Sequence, residues 1–227
     1  IRYLRMSRGL GDVYKRQEYM EVFESEPVVQ GGCIWDWVDQ SFREVDAHGK
    51  WYWAYGGDYG PENIPSFGNF CCNGLVNAVR EPHPHLKEVK KAYQYIKCTL
   101  KDPKNLTIAI KNWYDFTNLN AYVLKWSIMG DNGKMLAKGE QSIEVAPHAT
   151  TEVSLGGVRL PRNIREAYLN LSWTPKKKSA FIGTDDEVAY DQFVLPANSQ
   201  YRPTLAKLSE KPEIQIDPKT GALTSYI

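Results

Sequence analysis

The second half of the chain is built from short runs of alternating or clustered apolar residues, and this pattern constrains the fold most. From Lys97 onward the runs are LTIAI, AYVLKWSIM, KMLAKGEQSIEV, TTEVSL, EAYLNLSW and EVAYDQFVL, separated by the turn sequences DPKN, GDNG, APH, PRN and PKKK. Roughly six to eight strands at this spacing, with hardly any helical period, are typical of an antiparallel β-sandwich. We therefore predict an all-β sandwich over residues 98–197.

The preceding region, residues 18–97, has a pattern that predicts α/β structure. The segment EYMEVFESE places apolar side chains at helical spacing, and Pro27 marks its end. The apolar run after it, from Val28 to Trp35, suits a strand buried on both faces. A helix followed by a buried strand is expected of a unit of an α/β barrel.

A long stretch resembling a loop joins this unit to the sandwich. Residues 39–82 are rich in Gly, Pro, Asn and aromatic residues, and a connection of that length in a compact domain is usually functional or disordered. The aromatic content argues against disorder. The sequence PHPHLKEVKKAYQYI then predicts a helix with Leu86, Val89 and Tyr93 on one face. After Pro196 we expect a linker, followed by a strand, turn and strand in EIQIDPKTGALTSYI.

Charge and composition argue against two classes of partner. The 28 basic residues nearly balance 27 acidic residues, so no overall field would attract nucleic acid or anionic lipid. No apolar run approaches the roughly 20 residues that cross a bilayer. The 12% of aromatic residues suit either a core or a surface that stacks on sugars. Adjacent Cys71 and Cys72 cannot easily form a disulfide without strain, so we expect reduced thiols.

Four sequence blocks together carry a specific resemblance. They are QGGCIWDWVDQ, YGGDYG, NFCCNGLV and REPHPHLKEVKK, in this order over residues 28–91. They resemble the end of the catalytic barrel of family 2 β-galactosidases, and the sandwich and the closing KTGALTSY hairpin resemble the domains that come after the barrel in that family. The resemblance implies the end of a TIM (β/α)8 barrel over 18–97, an immunoglobulin-like sandwich over 98–197, and the truncated start of a further β domain over 198–227. Residues 1–17 do not match, and a cloning or sequencing artefact would explain them.

The same resemblance implies a retaining hydrolase of terminal β-galactosides such as lactose, with two catalytic glutamates. The acid/base glutamate would lie upstream of this chain. The nucleophile would lie just before residue 18, where IRYLRMSRGLGDVYKRQ does not match the family. Glu18 and Glu21 are nearby, but they fall on the predicted helix and not at the carboxyl end of a barrel strand. We therefore expect no catalytic residue in this chain, and an inactive fragment.

Three residues match binding positions of the family. Trp35 corresponds to its galactose-stacking tryptophan. Without the resemblance, a Trp in a buried run would be interpreted as an aromatic residue of the hydrophobic core. Phe70, through its backbone carbonyl, and Asn73, through its side-chain oxygen, correspond to its sodium site, and Asn73 would also face a galactose hydroxyl. Without the resemblance, an Asn before Gly is usually a turn residue. An acidic sodium ligand lies outside this chain, so the site would be incomplete; the family also uses magnesium.

Other polar residues are interpreted as structural. Asp36 and Asp39 would be hydrogen-bonding groups near the barrel mouth, and Trp37 would pack on the side opposite Trp35. His83 and His85 of the PHPH sequence are two residues apart and do not share a helix face, so packing at a helix start is favoured over metal binding.

A second hypothesis is a non-catalytic carbohydrate-binding or scaffold module that uses the aromatic loop as a sugar platform. It predicts galactoside binding that weakens when Trp35 is replaced by Ala, without hydrolysis. The resemblance further implies a homo-oligomeric parent protein. A cytoplasmic location is expected, with a periplasmic one left open because the native N-terminus is not in this sequence.

Overall fold

The computed structural model describes residues 16–65, 70–157, 159–202, 213–216 and 223–226 of the chain. Residues 1–15 of the non-matching segment 1–17 therefore lie outside the described residues, as does most of the predicted linker. In chain order the helices and strands are α1 (Arg16–Ser25), β1 (Phe42–Val45), β2 (Trp51–Ala54), α2 (Leu86–Ala92), β3 (Ile96–Asp102), β4 (Thr107–Asn112), β5 (Tyr122–Gly130), β6 (Met135–Gln141), β7 (Thr150–Ser154), β8 (Ala167–Pro175), β9 (Ala189–Val194), β10 (Glu213–Ile216) and β11 (Leu223–Tyr226).

Strands β3 to β9 form two antiparallel sheets. One sheet has the order β3-β4-β7 and the other the order β6-β5-β8-β9. Every strand that we predicted from an apolar run after Lys97 is present within a few residues of its expected bounds. Strand β3 is additional, because its sequence IKCTLKD was not recognised as a separate run. The mostly-sheet character predicted for this part of the chain is confirmed.

The inner faces of the two sheets share one hydrophobic core. In β8, alternate residues such as Leu169, Leu171 and Trp173 are at most 2% exposed, as a period of two requires. From the other sheet, Ile108 and Ile110 of β4 belong to the same core cluster. Two antiparallel sheets packed on a common core make a sandwich, and it spans residues 96–195. We call these residues the sandwich.

A buried asparagine ties together loops at one end of the sandwich. The Asn112 side chain donates to the carbonyl oxygens of Thr117 and Val145 at 2.9 Å each, and its own oxygen accepts the Tyr114 N–H at 2.9 Å. A buried amide without partners would be costly, so these three bonds allow a polar residue at the end of a core strand.

Residues 16–95, which we call the N-terminal region, differ from the expected barrel unit in one respect. The predicted helix is present as α1, but the run from Val28 to Trp35 forms no strand, and Val28 is 87% exposed. The prediction of a buried strand there was wrong. A strand buried on both faces needs neighbouring strands to satisfy its backbone groups, and among the described residues this run has no such neighbour.

The predicted loop over 39–82 contains a hairpin that the pattern did not predict. Strands β1 and β2 pair with Phe42 opposite Ala54 and Val45 opposite Trp51. The Asp46 carboxylate accepts the backbone N–H groups of His48 and Lys50 at 2.8 Å and thereby shapes the turn. The alternation in FREV and WYWA around DAHGK was the available signal.

The N-terminal region contacts the sandwich where α2 meets β9. Lys91 Nζ lies 2.6 Å from Asp191 Oδ1, and the other carboxylate oxygen accepts the Cys98 N–H at 3.1 Å. The Gln94 side-chain oxygen accepts the Tyr190 N–H at 3.1 Å. Burial raises the pKa of Asp191, although Lys91 acts in the opposite direction. A charged, hydrogen-bonded junction therefore joins the two regions.

The predicted closing hairpin is present as antiparallel strands β10 and β11, with Glu213 opposite Tyr226. The turn between them lies outside the described residues. Within the described parts of the chain, no helix is long and apolar enough to cross a membrane.

Candidate functional site

Two irregular segments of the N-terminal region lie side by side and form the framework of the candidate site. Asp36 N–H donates to the Asn73 carbonyl at 3.3 Å, and Leu75 N–H donates to the Asp36 carbonyl at 3.1 Å. Val38 and Val76 form an isolated parallel bridge. These bonds bring the WDWVDQ and NFCCNGL sequences together although about 35 residues separate them.

A buried carboxylate fixes the loop that carries Asn73. One oxygen of Asp39 accepts the Gly74 N–H at 2.8 Å, and the other lies 2.8 Å from His83 Nε2. His85 Nε2 lies 2.9 Å from the Gly74 carbonyl oxygen, so both backbone groups of Gly74 are bonded to side chains. A Cβ at Gly74 would lie 2.2 Å from the backbone nitrogen of Asp39, so only glycine fits this close approach.

The structural interpretation of Asp39 and His83 is thus consistent with the geometry. Among the described residues, no group of three or more His, Cys, Asp or Glu side chains could hold a metal ion. His83 and His85 stack with ring centroids 5.4 Å apart, which places both rings against the same loop.

Both tryptophans of the WDWVDQ block are accessible. Trp35 is 46% exposed and Trp37 is 61% exposed. Trp35 is therefore not a core aromatic, and a flat apolar ring is available beside the Asn73 loop. The interpretation of Trp37 as a packing residue was wrong, because strand alternation does not apply to an irregular segment. The peptide bond between Trp35 and Asp36 is cis.

Asp36 lies between Trp35 and the Asn73 loop. Gln40 Nε2 donates to its Oδ2 at 2.8 Å. Its Oδ1 is shielded from solvent and has no hydrogen-bond partner within the described part of the chain. Buried acceptors are normally satisfied, so this oxygen is a feature of the site that sequence reasoning did not anticipate.

Phe70 and Asn73 lie at the two ends of a short loop. The Phe70 side chain is 44% exposed, and Asn73 is half-buried. Between them, the Cys71 carbonyl accepts the Gln40 N–H at 2.8 Å, so the loop is bonded to the WDWVDQ segment on both sides of Cys72. The assignment of sodium to Phe70 and Asn73 stays a prediction.

The hairpin β1–β2 adds an aromatic surface that sequence reasoning missed. Trp51 and Trp53 meet edge to face with centroids 5.6 Å apart, and the Arg43 guanidinium carbon lies 5.1 Å from the Trp51 ring centroid. Tyr59 packs against this hairpin and donates to Glu44 at 2.8 Å, which raises the pKa of Tyr59 to about 12. The WYWA sequence was visible, but only its pairing reveals a surface.

The two glutamates near the start of the described chain are not part of this arrangement. Glu18 and Glu21 are exposed on α1, and among the described residues neither carboxylate has a side-chain hydrogen bond or an ion pair. Elsewhere on α1, Glu24 forms an ion pair with Lys97 at 2.5 Å.

Comparison with known proteins decides the family. A model described as "Glycosyl hydrolases family 2, TIM barrel domain" matches residues 5–98, and one described as "Beta-galactosidase, domain 4" matches residues 108–196. The chain belongs to the family 2 glycosyl hydrolases. The barrel match begins at residue 5, so it includes part of the segment 1–17 that we did not expect to resemble the family.

Relatives of this family 2 chain include three bacterial proteins named β-galactosidase. The protein from Priestia megaterium is 41% identical over 86% of the chain, and that from Klebsiella pneumoniae is 36% identical over 85%. The protein from Pseudoalteromonas haloplanktis is 31% identical over 93% of the chain. The chain spans 18% to 20% of the length of these relatives.

Solved structures of the family align more weakly. The exo-chitosanase CsxA of Amycolatopsis orientalis aligns over 68% of this chain and 16% of its own, with a TM-score of 0.36 and 9% identity. Similarity at this level adds nothing to the assignment.

Proposed function

We propose that this chain forms one wall of the galactoside site of a retaining β-galactosidase. The observation that carries the proposal is the position of Trp35. Its side chain is half exposed, and the N–H of the next residue, Asp36, donates to the Asn73 carbonyl. An accessible indole beside a polar amide suits a sugar, which has an apolar C–H face and a rim of hydroxyl groups. The relatives named β-galactosidase support galactose as the sugar.

In this proposal the Trp35 ring packs against the apolar face of the galactose ring, and the Asn73 amide binds a hydroxyl. The Phe70 carbonyl and the Asn73 side-chain oxygen would supply two oxygen ligands to a sodium ion, because hard cations prefer oxygen donors. The remaining ligands, and the magnesium of the parent enzyme, would be bound by other parts of that enzyme.

The catalytic step would also depend on other parts of the parent. A retaining glycosidase uses two carboxyl groups about 5–5.5 Å apart, one as nucleophile and one as acid/base. Glu18 and Glu21 are exposed on a helix, which does not suit a carboxylate that must meet a bound sugar. We therefore expect no turnover from this chain alone.

Two measurements test the proposal. The purified chain is incubated with p-nitrophenyl β-D-galactoside, and release of nitrophenol at a rate above that of buffer would contradict the absence of the catalytic glutamates. Calorimetric titration with lactose or galactose should give heat that Trp35→Ala abolishes. Trp37→Ala, which removes a ring of the same size that is more exposed and lies two residues away, is the matched control and should leave binding unchanged.

A second function, a non-catalytic carbohydrate-binding or scaffold module, is favoured by the hairpin β1–β2. Its exposed aromatic side chains form a surface of a kind that stacks on sugars. If the hairpin is the platform in place of Trp35, on which the sequence-based hypothesis relied, binding would survive Trp35→Ala and would weaken with Trp51→Ala. The same titrations therefore distinguish the two functions.

The proposed family role also bears on topology, assembly and location. The sandwich has sheets of three and four antiparallel strands, β3-β4-β7 and β6-β5-β8-β9, and the division of seven strands between two such sheets supports an immunoglobulin-like architecture. We expect the parent protein to be a homo-oligomer, and we expect a cytoplasmic location.

A further inference from the structure

The adjacent cysteines of the Asn73 loop are the feature that the proposed function does not use. Cys71 and Cys72 have their sulfur atoms 3.8 Å apart, in hydrogen-bonding contact. Neighbouring side chains in an extended segment point to opposite sides, so this approach requires the turn that contains Phe70 and Cys71. Two thiol groups are therefore presented together by the backbone conformation.

The loop holds the two sulfur atoms in place. The Cys71 carbonyl accepts the Gln40 N–H at 2.8 Å, and the Asn73 carbonyl accepts the Asp36 N–H at 3.3 Å. Cys72 is exposed and Cys71 is half-buried, so a small molecule can reach the pair from solvent. A pair fixed in this way loses little conformational freedom when it binds one ligand with both sulfurs.

The distance between the sulfurs favours a bridging atom over a direct bond. A disulfide needs about 2.05 Å between its sulfurs, which would require the loop to close by almost half the present separation. Two sulfur ligands about 2.3 Å from a common tetrahedral centre lie roughly 3.8 Å apart, close to the separation of this pair. The backbone can therefore keep its conformation while one larger atom joins both sulfurs.

The number of ligands selects the kind of atom. Zinc would need about four donors, and the described residues contain no group of three or more His, Cys, Asp or Glu that could hold a metal ion. A monosubstituted trivalent arsenic compound needs only two sulfur ligands, because its third bond is already made to carbon. Soft centres of this type prefer sulfur to oxygen.

We propose that Cys71 and Cys72 form a chelating dithiol site for organic trivalent arsenicals. The reacting species is the hydrated arsenical R–As(OH)2, which phenylarsine oxide forms in water; two As–S bonds form and the two bonds from arsenic to its hydroxyl oxygens break. The two thiol protons leave with those oxygens as two molecules of water, so no oxidant or reductant is consumed. The other two cysteines, exposed Cys33 and buried Cys98, belong to different parts of the chain and provide internal controls.

The test treats the full 227-residue chain with phenylarsine oxide under non-denaturing conditions and measures its intact mass. We expect one adduct per chain that excess dithiol reverses and excess monothiol does not. Cys71→Ser and Cys72→Ser should each abolish the adduct, whereas the double variant Cys33→Ser, Cys98→Ser should retain it. An adduct that persists in either single variant, or that forms only after unfolding in urea, would overturn the proposal.

A measurement without substitutions guards against variants that fail to fold. The arsenical should protect Cys71 and Cys72 of the original chain from iodoacetamide and leave Cys33 as reactive as before, as read from peptide masses. Equal protection of Cys33, or no protection of the pair, would also contradict the site.

The position of the pair between Phe70 and Asn73 has one consequence that rests on the proposed function. Bridging the sulfurs should weaken lactose binding wherever that binding is measurable. If the adduct forms and lactose binding is absent or unchanged, the dithiol site stands and the proposed sugar contact of Asn73 fails.

Discussion

The sandwich and the N-terminal region differ in how far each satisfies its own apolar and backbone groups. In the sandwich, every strand is paired and the inner faces of two sheets bury one common core. In the N-terminal region, two helices and a hairpin leave Val28, Trp37 and Phe42 largely exposed. A sandwich needs only its own two sheets to bury its core, whereas a unit of a barrel depends on neighbouring units for its strand pairs and its apolar contacts.

Hydrogen exchange of the whole chain should show the largest effect. Amides in the central strands β5 and β8 should exchange only through global unfolding, which costs on the order of 5–15 kcal/mol in ordinary domains. Amides of β1 and β2 should exchange through local opening at a small fraction of that free energy. Mass-spectrometric exchange measures both in one sample, and equal protection of the hairpin and β5 would refute the contrast.

Removing a core ring should be the most damaging single substitution. Trp173→Ala deletes a fully buried side chain of β8 and should lower the free energy of unfolding by about 3–5 kcal/mol. Trp37→Ala removes the same ring from an exposed position and should change it by less than about 0.5 kcal/mol. Denaturant titration followed by circular dichroism compares the two. Similar losses would mean that the N-terminal region carries more of the stability than its exposure indicates.

Gly74→Ala should disturb the N-terminal region alone. The added Cβ would meet the backbone of Asp39 at 2.2 Å, so the loop must shift at a cost of about 1–3 kcal/mol and lose its bond to that carboxylate. Gly56→Ala is the matched control, because a Cβ there meets nothing within 4 Å. We expect faster exchange at Leu75 in the first variant only, with sandwich amides unchanged. Faster exchange at Leu75 in both variants would show that the close approach of Gly74 to the Asp39 backbone is not what stabilises the loop.

The junction should give the smallest change, and one that depends on pH. Lys91→Met leaves the Asp191 carboxylate without its cation and should cost about 1–2 kcal/mol at pH 7, whereas Lys90→Met on the exposed face should cost little. Because burial raises the folded-state pKa of Asp191, its contribution to stability is present at low pH and is lost as pH rises through that pKa. The cost of Lys91→Met should therefore begin to shrink as the pH falls through that raised pKa and should be smallest below about pH 4, where the carboxyl is protonated in both the folded and the unfolded chain.

Thermal unfolding of both lysine variants between acid and neutral pH measures this dependence. A cost that is constant with pH would show that Lys91 acts through packing of its carbon chain and not through its charge.

Six of the seven strands of the sandwich, all except β3, were predictable because each combines a local apolar pattern with turn residues on both sides. Leu169, Leu171 and Trp173 alternate in sequence and are buried in the structure for the same reason. The run from Val28 to Trp35 has equally strong apolar content, yet it forms no strand. Apolar content is local, but strand pairing depends on which other segments are present.

The features of the candidate site also fall into two groups, those that the sequence predicted and those that only the structure revealed. The sequence alone singled out Trp35, Phe70 and Asn73 through their resemblance to a family whose models match the chain. It could not reveal that Asp39 would bond to Gly74, that Trp37 would be exposed, or that two adjacent thiols would point the same way. Each of these depends on distances between segments or on a turn that no local pattern records.

The amino-acid sequence by itself therefore determined the family, six of the seven strands of the sandwich and the two helices, because periodicity and turn residues act over a few neighbouring positions. Only the tertiary structure decided which apolar residues are covered and which polar groups meet. Burial and hydrogen bonding between distant segments are properties of the whole packed chain, and they are settled only when all of its partners are in place.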